Sequence, residues 1–549
     1  MDMTRAPRWS RSLIRAVARC ATPLVVLSAL AALVVGSSGG AGPVPTPTGG
    51  GAPVDIAAVD RFVSEQIDAA SIPGAALAIT HGDQVVHVAG FGHDSTGAPV
   101  TGDTLFRVAS LSKSFTALAV LQLVDEHRLR LDDPVVDHLP GFRLADPRGA
   151  EITVRQLLEQ TSGLTDAQVH DLSREQPDSL ADAVVAVRTA RLAAAPGTQW
   201  NYHNPNYQIA ARLVEVVAGE PFDAYLRDHV LRPAGMTSAL TVAHDDQDVP
   251  GLVDGHVVAW GQAFAVDGPH TFRSGAGGVI ASADDMARWL IVQTNRGRAA
   301  DGTRVISDHS LTEQHTPGVH TNGYALGWDT DGPPGAPTRL QHTGSLLAYS
   351  AYMEIVPGSG YGVVVLLNSG SGLLLDQTGI FHGVRDIVEG TNLTPPGPAE
   401  ARYNATTIDR LLGLLTLVVL LLGARGVVRS RRWARQRRRR QWTSIAVRMA
   451  PYLAVLAAAA AFPQLAERLV GGRDVTWQAA AYGWPALTVL VGALMLATLT
   501  TMTCRARHLI RGDTSGPATE ATAGTSGLPV HRRVILTDAS AGLNHSSPA

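Results

Sequence analysis

Lys113 is the only lysine in a chain whose Lys+Arg total is 45, and it stands three residues after Ser110 in the stretch Val108-Ala109-Ser110-Leu111-Ser112-Lys113-Ser114-Phe115. A guanidinium keeps its proton in a protein, whereas a desolvated ammonium can lose it, so this lysine is the chain's candidate amine base. The apolar positions that follow, Phe115, Leu118, Ala119 and Leu121, predict a buried helix that puts Ser110 and Lys113 on one face, a turn apart. A serine beside a neutral amine is an activated nucleophile. Serine-lysine pairs at this spacing are common on solvated surfaces; the apolar setting sets this one apart.

Two further stretches carry groups suited to acyl transfer. Tyr202-His203-Asn204 offers a phenol and an amide two residues apart, as on one side of an extended segment. Tyr202 could share or relay the proton with Lys113, and Asn204 could hydrogen-bond a substrate amide. His342-Thr343-Gly344 follows the strand-like Thr338-Arg339-Leu340-Gln341. A polar pair ending in glycine at a strand edge lets a substrate backbone approach and pair, with His342 supplying a donor. Each stretch alone reads equally well as a loop or a turn. The histidines His81, His87, His127, His138 and His203 form no metal-ligand spacing, so no metal or other cofactor is expected. Gly275-Ala276-Gly277-Gly278 lacks the lysine of a phosphate loop and reads as a loop near the site.

In this order and at these separations, Ser110-x-x-Lys113, Tyr202-x-Asn204 and His342-Thr343-Gly344 resemble the motifs of the penicillin-recognising serine hydrolases. That family takes in class C β-lactamases, DD-peptidases of the same fold, and related esterases and amidases. Leu131 to Val135, Ile152 to Leu164, Tyr202 to Ala211 and Gly275 to Asp285 are similar to it as well, and the resemblance spans roughly residues 55 to 390. It implies an α/β fold, β-lactamase-like, with an antiparallel sheet flanked by helices plus a mostly helical lobe. It further implies that Ser110 attacks a carbonyl, that Lys113 and Tyr202 move its proton, and that Asn204 and Thr343 hold the substrate amide. The backbone N–H groups of Ser110 and Ser345 would form the oxyanion hole. His342 stands where β-lactamases of this fold carry lysine, which resembles the DD-peptidase and esterase branches; a salt link from it to a substrate carboxylate would depend on pH.

The elements that must position these groups are readable in part. A helix over Ile56 to Ala69 precedes a hairpin, Ala75 to Thr80 and Val85 to Ala89 about His81-Gly82-Asp83-Gln84. The middle of the chain, to about Ile291, is mostly helical in pattern. Strands return at Tyr349 to Val356 and Tyr361 to Leu367, and Leu373 to Val388 reads as a closing helix. Strands at both ends with helices between predict a sheet assembled from the two termini of the domain.

Charge divides the chain. Residues 55 to 399 hold 40 Asp+Glu against 20 Arg and one Lys, a net of −19, whereas the flanks carry a net of +16. The basic flanks adjoin apolar segments, which points to a membrane and not to nucleic acid. Residues 1–42, with Arg5 to Arg19 before the apolar run Ala21 to Val35, read as a signal peptide or signal anchor. A linker over 43–54, the hydrolase domain over 55–393 and a second linker over 394–407 follow. Three membrane helices then occupy 408–503, as Ile408 to Val428, Met449 to Leu465 and Ala479 to Met502, with an Arg-rich loop at 429–448. The tail, 504–549, reads as cytoplasmic and disordered. The positive-inside rule puts the Arg-rich loop in the cytoplasm and the hydrolase domain outside, in a multi-pass cell-membrane protein, and the signal independently predicts the same side. Cys20 and Cys504 both lie outside the hydrolase domain, so that domain rests on its core and not on disulfides.

The expected function is therefore a membrane-tethered extracytoplasmic serine hydrolase that cleaves an amide or ester of a small molecule or peptide, such as a cell-wall peptide. The alternative is a non-catalytic receptor for cell-wall peptides or β-lactams that uses the same fold.

Overall fold

The computed structural model describes residues 54–333, 335–370, 377–391, 398–437 and 441–511. Residues 1–42, nearly all of the 43–54 stretch and most of the 504–549 tail lie outside the described residues. The first helix, α1 (Ile56–Ala70), is capped by Asp55, whose side chain accepts from the Ala58 N–H, and Ser71 ends it in the left-handed conformation. β1 (Gly74–His81) and β2 (Gln84–Gly92) form the expected hairpin. A 3-10 turn over Ala109–Leu111 runs into α2 (Ser112–Asp125), and α3 (Asn204–Ala218) and α4 (Ala283–Thr294) follow. Then come β3 (Asp329–Asp331), β4 (Arg339–Ser345), β5 (Ser350–Val356), β6 (Tyr361–Leu367) and α5 (Thr378–Val388).

The six strands make one antiparallel sheet in the order β2-β1-β6-β5-β4-β3, so its first and last strands in sequence do meet in the middle. Side chains alternate across a strand, and both faces here are apolar. Ala75, Leu77 and Ile79 of β1 pack with Val363, Val365 and Leu367 of β6 under Val59 and Val63 of α1 and Val384 of α5. Ala76, Ala78, Val364 and Leu366 face the other way, onto the core shared with α2 and α4. There Phe115 and Trp289 stack with ring centroids 3.8 Å apart. Helix α2 is buried nearly all round, which its run of small and apolar residues permits.

The middle of the chain differs from its helical expectation. Besides α3 and α4 it carries short helices joined by long loops, a three-stranded sheet built on Val279–Ala281 and a hairpin of Gly255–Ala259 with Gln262–Val266. Its apolar residues contact partners distant in sequence, which local periodicity does not encode.

Beyond the hydrolase region the structure has three helices apolar enough to cross a membrane: within α6 (Pro398–Val428), α7 (Trp442–Ala460) and α8 (Pro485–Ile510). Helix α6 begins at Pro398, inside the stretch read as a linker. The second and third spans are displaced from their expected bounds, and proline marks the end of the one and the start of the other. Pro463 starts a separate helix at Phe462–Leu469, and Pro485 parts α8 from the short helix Trp477–Gly483. The Arg-rich stretch is partly helical, over Ser430–Arg435. Gly423 and Gly426 of α6 let it approach Ala497 and Thr501 of α8, as small residues do between apolar helices.

Candidate active site

Ser110 sits in the 3-10 turn ahead of α2, partly open to a cavity of about 680 Å³. The preceding residue, Ala109, is held in the left-handed region at φ 53°, a strained setting for a residue with a side chain, of about 1 kcal/mol. Lys113 lies one turn on and is fully buried. Its Nζ is 2.9 Å from Asn204 Oδ1, 2.8 Å from the Ala276 carbonyl oxygen and 3.2 Å from Ser110 Oγ. Burial first, and the positive charge of Arg473 second, hold its pKa well below the usual lysine value, against the pull of Asp171.

Those three partners fit a neutral amine. An –NH2 group has two hydrogens and one lone pair. The Ala276 carbonyl can only accept, and Asn204 Oδ1 can only accept because its Nδ2 donates to Asp171 Oδ2 at 2.7 Å. The lone pair is left for the Ser110 hydroxyl hydrogen, which is the arrangement of a general base with its nucleophile.

Tyr202 hydrogen-bonds Ser110, and its ring centroid is 4.8 Å from Lys113 Nζ. Burial raises its pKa far above the ordinary phenol value, which favours the phenol, a form that has a proton to donate. Asn204 is the first residue of α3 and not part of an extended segment; its amide is committed to Lys113 and Asp171. Asp171 thus orients the amide that orients the base.

His342, Thr343 and Gly344 lie within β4 and not at a turn after it. His342 is buried; its Nδ1 donates to the Thr343 carbonyl at 2.7 Å, which leaves Nε2 to accept from Tyr324 Oη at 3.2 Å. Burial first, then Lys113, lower its pKa to about 3. Burial thus favours the neutral imidazole, and both ring nitrogens are engaged in hydrogen bonds, which argues against the expected pH-dependent salt link from His342 to a substrate carboxylate. Thr343 and Ser345 do face the cavity. Gly344 is required there because a Cβ would overlap the Val108 carbonyl oxygen, so only glycine lets β4 lie against the Ser110 turn. Gly275 makes a similar close approach to α3, and its carbonyl accepts from Thr116 at 2.7 Å; the glycine-rich loop at 275–278 does border the site.

Sequence reasoning missed Asp166, Asp171, Asp329 and Arg473, all of which line the cavity. Asp329 carries no charge partner, and burial first, then Asp331, push its carboxyl up to about 6. Nothing marks any of these in a list of acids and arginines. Arg473 is detectable only by topology, since its loop lies between the second and third spans. At the cavity rim Asp178, His244 and His270 bring possible ligand atoms within 4.8 Å of one another. The two imidazoles stack with planes 9° apart, so their in-plane lone pairs do not converge on one ion.

Among relatives, the chain is 34% identical over 367 residues to penicillin-binding protein 4 of Amycolatopsis lactamdurans, covering 62% of this chain and 93% of that protein. It is 28% identical to Protein flp of Staphylococcus aureus strain MW2 over 57% of this chain and 63% of the relative, so it spans less than two thirds of that protein. Two solved structures share the fold. One is the octameric penicillin-binding protein homologue from Pyrococcus abyssi (TM-score 0.53, 24% identity, covering 63% of this chain and 79% of that one). The other is the penicillin binding protein from Bacillus halodurans (TM-score 0.51, 22% identity, 60% and 98%). A profile of the Beta-lactamase family matches residues 59–379. With more than half of its length matched, its serine and tyrosine at one cavity and its lysine buried against that serine, the chain belongs to the Beta-lactamase family.

Proposed function

We propose that this protein is a membrane-tethered, extracytoplasmic serine hydrolase that cleaves an amide or ester through an acyl-Ser110 intermediate. The observation that carries the reading is the buried Lys113 Nζ 3.2 Å from Ser110 Oγ, with Asn204 Oδ1 and the Ala276 carbonyl as its other partners; in the neutral amine those two take its hydrogens and the lone pair is free to receive the Ser110 proton. In this mechanism Ser110 Oγ attacks the substrate carbonyl carbon as its proton passes to Lys113 Nζ. The resulting ammonium has three hydrogens for the same three partners. The carbonyl oxygen, now an oxyanion, is held by the backbone N–H groups of Ser110 and Ser345, each such donor contributing about 3 kcal/mol. As the tetrahedral intermediate collapses, Tyr202 gives its proton to the departing nitrogen or oxygen and is reprotonated from Lys113. Water then attacks the acyl-serine, its proton drawn off by the same pair and delivered to Ser110 Oγ as the ester bond breaks, and the acid is released with the free serine restored. Thr343 pairs with the substrate along the open edge of β4; Asn204 acts through Lys113. The relatives named for penicillin binding support the acyl-enzyme chemistry and a peptide or β-lactam-like substrate.

The test is labelling of the full-length protein in detergent with a fluorescent fluorophosphonate and, separately, a fluorescent penicillin. Wild type is expected to label, Ser110→Ala not at all, and Lys113→Arg roughly 10² to 10⁴-fold more slowly, because arginine cannot accept the proton. A folded wild-type protein that takes up neither probe would sink the acyl-enzyme reading in favour of a receptor.

A further inference from the structure

The loop that joins the second and third spans enters the catalytic cavity. Its residues Arg473 and Asp474, with Trp477 of the short helix that follows, form part of the cavity wall that also contains Ser110. The docking is specific. Asp474 Oδ2 accepts from the backbone N–H groups of Leu172 and Ser173, each at 2.7 Å, and the Asp474 N–H donates to Asp166 Oδ2 at 3.1 Å. Tyr482 Oη donates to the Asp267 carbonyl at 2.9 Å. The segment that receives the loop holds Asp171, and through it Asn204 and Lys113.

Arg473 is used on one edge only. Its Nε donates to Asp166 Oδ2 at 2.7 Å, while Asp166 Oδ1 accepts from His203 Nδ1 at 2.6 Å. Neither Nη group of Arg473 has a partner among the described residues, and 39% of the side chain is exposed. The guanidinium carbon is 5.1 Å from the centroid of the Tyr202 ring, the ring that also carries Lys113 Nζ at 4.8 Å. The other basic groups of the cavity are spent. Arg273 is paired with Asp245 at 2.7 Å, and His342 and Lys113 are both held in hydrogen bonds inside the wall. Asp166 already pairs with the Nε edge of Arg473, and Asp171, Asp329 and Asp474 also line the cavity, so what remains to an anion is the pair of Nη groups on the other edge of Arg473. A guanidinium with two free N–H groups on one edge binds a carboxylate in fork geometry.

We infer that Arg473, supplied by the membrane region, is a specificity-determining residue of the cavity and holds a carboxylate of the substrate. The inference rests on the acyl-Ser110 reading and adds a substrate class to it: molecules with a carboxylate within reach of the scissile bond. It also makes the membrane region part of the site and not merely a tether.

The experiment uses the full-length protein in nanodiscs and three matched esters: one neutral, one with a carboxylate on the acyl side, one with a carboxylate on the leaving group. Wild type is expected to turn over at least one of the acids with kcat/KM tenfold or more above the neutral ester, chiefly through KM. Arg473→Gln is expected to lose that preference, and Arg473→Lys, which keeps the charge without the fork, to retain part of it. Reading the ratio of acid to neutral ester separates lost recognition from a general loss of fold, which would lower all three together. A wild type that hydrolyses the neutral ester as well as either acid, or an Arg473→Gln protein that keeps the preference, overturns the role of Arg473 and leaves the hydrolase standing. A folded wild type that hydrolyses none of the three overturns both.

Discussion

Lys113 owes its neutrality to its surroundings, and this has a measurable pH signature. The base works only unprotonated, so kcat/KM rises with pH through the lysine's depressed pKa. Asp171 pulls that pKa up and Arg473 pushes it down. Removing a negative charge disfavours the ammonium, so Asp171→Asn is expected to move the acid limb of the profile to lower pH. The amide at 171 can still accept from Asn204, which keeps the positioning bond; a limb that stays put or moves upward in kcat/KM measured from pH 4 to 9 would contradict this electrostatic account. Ser110, Lys113 and Tyr202 were readable from the sequence because their chemistry is written in residue type and short spacing. The neutral state of His342 was not, since it depends on the Tyr324 hydroxyl and on burial, neither of which a spacing encodes. Asn204 was placed at the site but given the substrate as partner. Its actual partners, Lys113 and Asp171, lie 91 and 33 residues away.

Among the elements, β4 is the one that lies against the turn carrying Ser110, the proposed nucleophile. It is only one strand from the sheet edge, held by β5 along its length and by the short β3 over Arg339 to Gln341. Gly344 sits in the half of β4 that β3 does not cover. An added methyl there must push β4 away from Val108 and the Ser110 turn. Gly344→Ala is expected to slow fluorophosphonate labelling by about a hundredfold, the cost of roughly 1 Å of misplacement, while a melting transition persists because the overlap is confined to the edge of one core, at Val108, Ala109 and Leu111. Labelling at the wild-type rate would show that the close approach is not needed. The hairpin β1–β2, the strands β5 and β6, and α1 were legible because their alternation or amphipathic period is local and strong. The helical lobe was not, because its short helices and small sheets are defined by contacts such as Val279–Ala281 against Phe106 and Leu240, which are far apart in the chain.

At the scale of the whole molecule, two unrelated features must agree about the side of the membrane on which chemistry occurs. The stretch after α6 carries Arg429, Arg431, Arg432 and Arg435, with Arg437 to Arg440 beyond them, and such a cluster stays in the cytoplasm. On the proposed topology, crossing by α7 would bring residues 461–484 to the outside. The docking of Arg473 and Asp474 on the segment around Asp166 requires the hydrolase region to be on that same side. The charge of one loop and the hydrogen bonds of the next are both compatible with the proposed topology. With Cys20 and Cys504 replaced by serine, a cysteine at exposed Arg468 is expected to react with a membrane-impermeant maleimide in intact cells. One at exposed Gln436 is expected to react only after the membrane is opened. The reverse pattern would place Ser110 in the cytoplasm and exclude extracytoplasmic cell-wall peptides as substrates. Labelling of both cysteines in intact cells would mean that α7 does not cross, and the Arg-rich loop would then lie on the catalytic side of the membrane.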